Sequence, residues 1–195
     1  MVERGGNMIW FISDLHFGHD KEFIYGPRGF KSVEEMNETQ INNWNSVVAP
    51  EDDIYVLGDF FLGTDYDFIR NTLDRLNGRI HLIIGNHDTD SKLALYETCD
   101  KIVKPMLFAD RIKYNKKLLY LSHYPTMTSN LEADPKLAVI NLFGHTHSKD
   151  LFYNGLPFMY NVACDAHNNT PVSIDQILAD IKNEIKSCVA LLDEK

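Results

Sequence analysis

The stretch Ile80-His81-Leu82-Ile83-Ile84-Gly85-Asn86-His87-Asp88 passes from an apolar run straight into polar residues led by a glycine. A short apolar run bounded by turn residues reads as a buried strand, which places Gly85 to Asp88 at a strand's carboxyl end. The same event recurs along the chain. Met8–Ile12 is followed by Asp14 and His16, Ile54–Leu57 by Asp59, Leu118–Leu121 by His123, and Val139–Phe143 by His145 and His147. Phe158–Val162 is a sixth such run. In α/β sheets the carboxyl ends of strands line the crevice where ligands bind. Five strand ends, each carrying a His, Asp or Asn, are therefore expected to converge on one place.

Helices are expected between and after these runs. Ser32 and Glu35 form a capping box opening Ser32–Val48, where Val33, Met36, Trp44 and Val47 recur at helical spacing. Phe68, Ile69, Leu73 and Leu76 mark a second helix, opened by Asp65 and stopped by Gly78. A third runs from about Ile174 to Ser187, with Ser173 and Gln176 as its capping box. The fold class is α/β, with one or two central sheets flanked by helices, in a single domain spanning residues 1–195. Met1–Asn7 lacks the apolar core and cleavage site of a signal peptide and reads as a loose leader.

Composition sets limits on function. With 44% hydrophobic and 24% charged residues, and no apolar run of membrane-spanning length, the chain reads as an ordinary globular protein without a membrane partner. Cys99, Cys164 and Cys188 are odd in number and widely spaced, which fits reduced thiols in a cytoplasmic protein. The net charge of -9 counts against long nucleic acid, which usually meets a basic face. Oligomeric state is not legible.

Besides His87 and Asp88, the polar residues at the strand ends comprise four histidines, two aspartates and an asparagine, without cysteine. Mixed nitrogen and oxygen donors suit Mn²⁺, Fe²⁺ or Zn²⁺. Seven donors exceed the four of a tetrahedral zinc site and suit two ions sharing a carboxylate. The blocks Asp14-x-His16, Gly58-Asp59, Gly85-Asn86-His87-Asp88, Ser122-His123 and Gly144-His145-x-His147 resemble, in order, those of the calcineurin-like metallophosphoesterases, specifically the small stand-alone bacterial and phage members. The stretches Asn161-Val162-Ala163-Cys164-Asp165 and Pro171-Val172-Ser173 share that resemblance.

The resemblance implies a two-layer β-sandwich flanked by helices, in four-layer α/β/β/α order. It implies a metal-dependent phosphatase or phosphodiesterase in which a metal-bridging hydroxide attacks directly, with no covalent enzyme intermediate. Asp14, His16, Asp59 and His147 would hold one divalent ion; Asp59, Asn86, His123 and His145 would hold the other. Manganese is favoured, with Fe²⁺, Zn²⁺ or Ni²⁺ as alternatives. His87 would act as acid or oxyanion stabiliser, and Asp88 would orient it. Three residues keep two readings. Asp88, read first as the orienting group, also suits a turn residue or N-cap. His19 either lines the substrate pocket or makes a structural hydrogen bond. Arg28, in Gly26-Pro27-Arg28-Gly29-Phe30, either clamps substrate phosphate or is a solvated arginine. The same blocks also fit a metal-dependent nuclease, or a binding scaffold that has lost turnover. Substrate choice is expected to lie in the loops Lys21–Lys31 and Thr126–Lys136.

Overall fold

The structure is a computed structural model and describes residues 7–63, 65–128 and 138–193, with side chains as far as residue 188. Residues 1–6 of the leader and 129–136 of the second specificity loop lie outside the described residues. In chain order the elements are β1 (Ile9–Ile12), α1 (Glu22–Tyr25), α2 (Val33–Val47), β2 (Asp53–Leu57), α3 (Tyr66–Arg75), β3 (Arg79–Ile83) and α4 (Asp90–Tyr96). There follow β4 (Ile102–Leu107), β5 (Ala109–Tyr114), β6 (Lys117–Ser122), β7 (Ile140–Phe143), β8 (Met159–Asn161), β9 (Val172–Ser173) and α5 (Ile174–Asp193).

Two sheets result. The first has the order β4-β3-β2-β1-β9, with β1 to β4 parallel and β9 antiparallel to β1. The second has the order β5-β6-β7-β8; β5 and β6 form an antiparallel hairpin turning at Asn115 and Lys116, and β6, β7 and β8 are parallel. Helices flank the sheets, so the mixed α/β sandwich expected from the sequence is the architecture found.

Alternation along the central strands feeds two cores. Trp10, Ile12, Ile54, Val56, Ile80 and Leu82 pack with Ile41, Trp44, Ile69, Leu73 and Leu95 of α2, α3 and α4. Phe11, Leu57 and Ile83 pack with Leu119, Leu121, Ile140, Leu142 and Tyr160 of the second sheet, joined by Ile174, Ile177 and Ile181 of α5. Strands buried on both faces read as continuous apolar runs, which is why the sequence exposes them.

The caps form by half. Ser32 Oγ accepts from Glu35 N (3.3 Å), but the Glu35 carboxylate accepts from Lys31 N (2.7 Å) and not from Ser32 N. Ser173 Oγ accepts from Gln176 N (3.2 Å), while the Gln176 amide donates forward to Asp180 (2.7 Å). Asp65 caps α3 through Phe68 N (3.0 Å). Among the described residues no helix is long and apolar enough to cross a membrane.

Candidate metal centre

The two sheets are stitched together where β1 and β8 end. Ser13 forms an isolated parallel bridge with Ala163, and Cys164 N donates to Ser13 O at 2.9 Å. Ser13 Oγ lies 2.5 Å from Asp14 Oδ2 and 2.8 Å from Leu57 O. His145 N donates to Asp14 Oδ2 at 2.8 Å, tying the exit of β7 to that of β1. His123 Nδ1 lies 2.8 Å from Leu57 O, tying the exit of β6 to β2.

Space at this seam is scarce, which explains its glycines. Of the glycines preceding Asp59, Asn86 and His145, only Gly58 has a left-handed φ, at 89°, and so serves a sharp turn. A side chain at Gly85 would collide with Asp59, and one at Gly144 with Ser13 Oγ and the Asp14 carboxylate. Those two glycines serve close approach, not turning.

The expected ligands themselves take the unusual backbone. Asp14, His16, Asp59, His145 and His147 have φ of 57°, 51°, 54°, 66° and 50°. Such conformations cost on the order of 1–3 kcal/mol each and persist where the surroundings over-determine them. Here they turn successive side chains toward one point. Asp59 Oδ2 lies 3.7 Å from His16 Nε2, 3.6 Å from His123 Nε2 and 4.0 Å from His87 Nε2. Asn86 Oδ1 lies 2.9 Å from His123 Nε2 and 3.0 Å from His145 Nδ1. His147 Nε2 is 3.8 Å from Asp14 Oδ1. Two donor groups emerge, Asp14 with His16 and His147, and Asp14 with Asp59 and His123, each with its ligand atoms within 4.8 Å of one another.

The chemistry of these donors fits a cation. Asp14 Oδ1 and both ring nitrogens of His16 are buried without a hydrogen-bond partner, an expensive arrangement for polar atoms unless a further group completes it. Burial, reinforced by the neighbouring His147 and Arg28, holds the His16 imidazole down at about 2, so it is neutral with a free lone pair. Burial pushes the Asp14 carboxyl up despite the nearby histidines. An uncompensated carboxylate therefore weakens the metal-free fold. Asp14→Asn keeps an oxygen for Ser13 and His145 while removing the charge, so the metal-free variant is expected to melt about 2–4 °C higher for each ~1 kcal/mol gained. Its metal affinity should fall. Calorimetry in chelator, followed by metal titration, checks both; a lower melting temperature would show the charge to be stabilising.

Three residues occupy places that the sequence did not indicate. Arg28 is 2% exposed at its side chain and is no phosphate clamp. Its Nε and Nη2 donate to Asp165 (both 2.9 Å), Nη2 also to Asp14 O (2.7 Å), and Nη1 to Leu15 O (3.1 Å) and Met36 Sδ (3.6 Å). Those contacts use all five guanidinium hydrogens. Asp165 in turn lies 3.0 Å from His147 Nδ1 through its Oδ2, the kind of outer partner that fixes a ligand imidazole's tautomer and orientation. Burial alone would raise the Asp165 carboxyl, but hydrogen bonds from His147 and Arg28 outweigh it and draw it to about 2. The same Asp165 contact raises His147.

Asp88 likewise does not orient His87. Its Oδ2 accepts from Asp59 N and Gly85 N (both 2.9 Å) and its Oδ1 from Phe60 N (3.4 Å), so it braces the two ligand loops through their backbones. Burial holds its carboxyl up at about 6. The His87 backbone is fixed instead by Lys92, whose Nζ donates to His87 O (2.5 Å) and Phe61 O (2.8 Å). The His87 ring itself is nearly half exposed. His19 stands at the edge of the centre, its ring 5.6 Å from that of His16. His81 is structural, paired with Asp53 at 2.7 Å. His167 turns away to the Asn161 carbonyl (2.8 Å). Asp165 had a legible signal, since it follows the sixth apolar run as the other acids follow theirs. Ser13 and Lys92 had none.

The chain is similar to several known proteins. The chain is 35% identical over 178 residues to an uncharacterized protein of Methanocaldococcus jannaschii, covering 87% of this chain and 89% of that one. It is 28% identical over 170 residues to the Gene 66 protein of Mycobacterium phage D29, covering 72% and 79%. Among solved structures, a protein of unknown function from Aquifex aeolicus superposes with a TM-score of 0.64 at 26% identity, covering 88% of this chain and 98% of that one. The family model for calcineurin-like phosphoesterases matches residues 8–183, and with its motif blocks gathered at one seam between two sheets, the chain belongs to that family.

Proposed function

We propose that the protein hydrolyses phosphate mono- or diesters at a centre of two divalent ions. Asp14, His16, Asp59 and His147 would hold one ion, and Asp59, Asn86, His123 and His145 the other. The observation that carries this reading is Asp59 Oδ2, a single carboxylate oxygen 3.7 Å from His16 Nε2 and 3.6 Å from His123 Nε2. Ions bound there would lower the pKa of a coordinated water and stabilise charge on phosphoryl oxygens. Manganese is the first choice for this nitrogen and oxygen donor set, with Fe²⁺, Zn²⁺ and Ni²⁺ as alternatives.

The chain's own residues do the rest. His87 reaches toward Asp59 with an exposed ring, so its Nε2 can meet a substrate oxygen and donate a proton to a departing alkoxide. Lys92 holds the backbone of that residue, and the Arg28–Asp165 pair holds His147. The acidic chain favours a small ester over a long nucleic acid. An exposed acid beside an intact donor set has no use in a silent scaffold.

Chelation followed by reloading with Mn²⁺, Zn²⁺, Ni²⁺, Fe²⁺ or Mg²⁺, with chromogenic mono- and diesters as substrates, tests the reading. His87→Ala is expected to lose about 10²–10⁴-fold in rate on esters with poor leaving groups, less on activated ones, with metal content unchanged. Equal loss on both kinds of ester would remove the proton-donor role. No turnover with any metal, from folded and metallated protein, would remove the reading itself.

A further inference from the structure

The centre is one stretch of a longer row of rings. Phe23 meets His19 edge-on (5.5 Å, 87°), and His19 meets His16 (5.6 Å). His123 Nε2 is likewise 3.6 Å from Asp59 Oδ2, its ring meets Tyr124 (5.0 Å), and Tyr124 also meets His145 (4.6 Å). An aromatic residue thus stands at each end of this chain of contacts through Asp59. Both face solvent, Phe23 at 70% exposure and Tyr124 at 49%. Scattered exposed apolar residues are ordinary, but these have a specific location. Helix α1, which carries Phe23, buries none of its residues, so packing gives no account of a phenylalanine there.

We infer that the substrate is a phosphodiester bearing a flat aromatic group on each side of the phosphate, as a small dinucleotide does, with Phe23 and Tyr124 as the two stacking walls. The inference rests on the phosphoesterase reading and narrows it. With the phosphate over Asp59, one ester substituent would extend along the contacts toward Phe23 and the other toward Tyr124. Aromatic side chains hold bases this way without reading their sequence.

The test uses the full-length, metal-loaded protein and three esters with one leaving group: bis(p-nitrophenyl) phosphate, methyl p-nitrophenyl phosphate and p-nitrophenyl phosphate. Intrinsic reactivities cancel when the ratio of kcat/KM for the first two is compared between wild type and variant. That ratio is expected to fall about 10-fold in Phe23→Ala or Tyr124→Ala, and further in the double variant. Independently of any variant, a dinucleoside monophosphate should inhibit wild type about 10-fold more tightly than a mononucleotide. An unchanged ratio in the folded double variant, equal inhibition by the two nucleotides, or the monoester as best substrate overturns this inference while leaving the phosphoesterase reading standing. Absence of turnover with every ester and metal overturns both.

Discussion

Asp59→Ala is expected to lower turnover by about 10³-fold or more and to reduce the metal content of the purified protein. The carboxylate is almost wholly buried, and two histidine nitrogens lie within 4 Å of its Oδ2. Its Oδ1 also accepts from His87 N at 2.8 Å, so the same side chain sets the height of the proton donor. On the two-ion reading proposed above, removing it would take away a shared ligand and leave like charges on the ions less compensated; it would also free the His87 loop. Metal catalysis contributes several kcal/mol of charge stabilisation, and each 1.36 kcal/mol is about tenfold in rate. Elemental analysis together with kcat/KM on one diester checks the prediction. Full metal content and wild-type rate would mean that Asp59 bridges nothing.

The second large effect is on stability. Asp165→Ala should cost about 3–5 kcal/mol, because it leaves the Arg28 guanidinium buried without its partner. Metal affinity should fall about 10–100-fold as His147 loses the group that fixes its ring. Arg28→Ala exposes the converse charge, but Asp165 can still reach His147, so its metal-affinity loss should be smaller. Acid provides a further readout. The Asp165 carboxyl is depressed to about 2 from a usual 3.8, so its contribution to stability is present above pH ~4 and is lost as pH falls toward 2. Urea titrations across that window should show wild type losing this increment and Asp165→Ala lacking it. A cost below about 0.5 kcal/mol would reduce the pair to decoration.

Much of this architecture was legible because the parallel strands are buried on both faces. β1, β2, β3 and β7 are nearly unbroken apolar runs, and each announces its own end. Three strands escaped notice, and all are outer strands of their sheets: β9, only two residues long, and the longer β4 and β5. The latter two carry the features by which edges avoid further pairing: Lys104 and Pro105 in one, Asp110, Arg111 and Lys113 in the other. Helix α4 is short, and its apolar residues are too few to set a period.

At the site, the metal-capable residues were identifiable from type and position, and the structure gathers Asp14, His16, Asp59, Asn86, His87, His123, His145 and His147 at one seam. The supporting contacts were not. Arg28 and Asp165 are 137 positions apart, and pairing across that distance leaves no local trace in one sequence. Nor could sequence tell that Asp88 faces three backbone amides, since a carboxylate beside a histidine invites the simpler reading.

The bridge between Ser13 and Ala163 has a consequence for the order of assembly. The groups gathered at the seam span residues 14 to 165, from opposite ends of the folded chain. Closing so long a loop requires that both sheets already exist, because non-local contacts form only after their entropic cost has been met. On a ribosome, the nascent polypeptide can present separate fragments of the ligand set but not the finished cage until β8 and the segment after it have emerged. Cation capture is therefore among the last events in the life of the newborn chain, and truncation anywhere before Asp165 should yield a polypeptide that collapses yet binds no ion tightly.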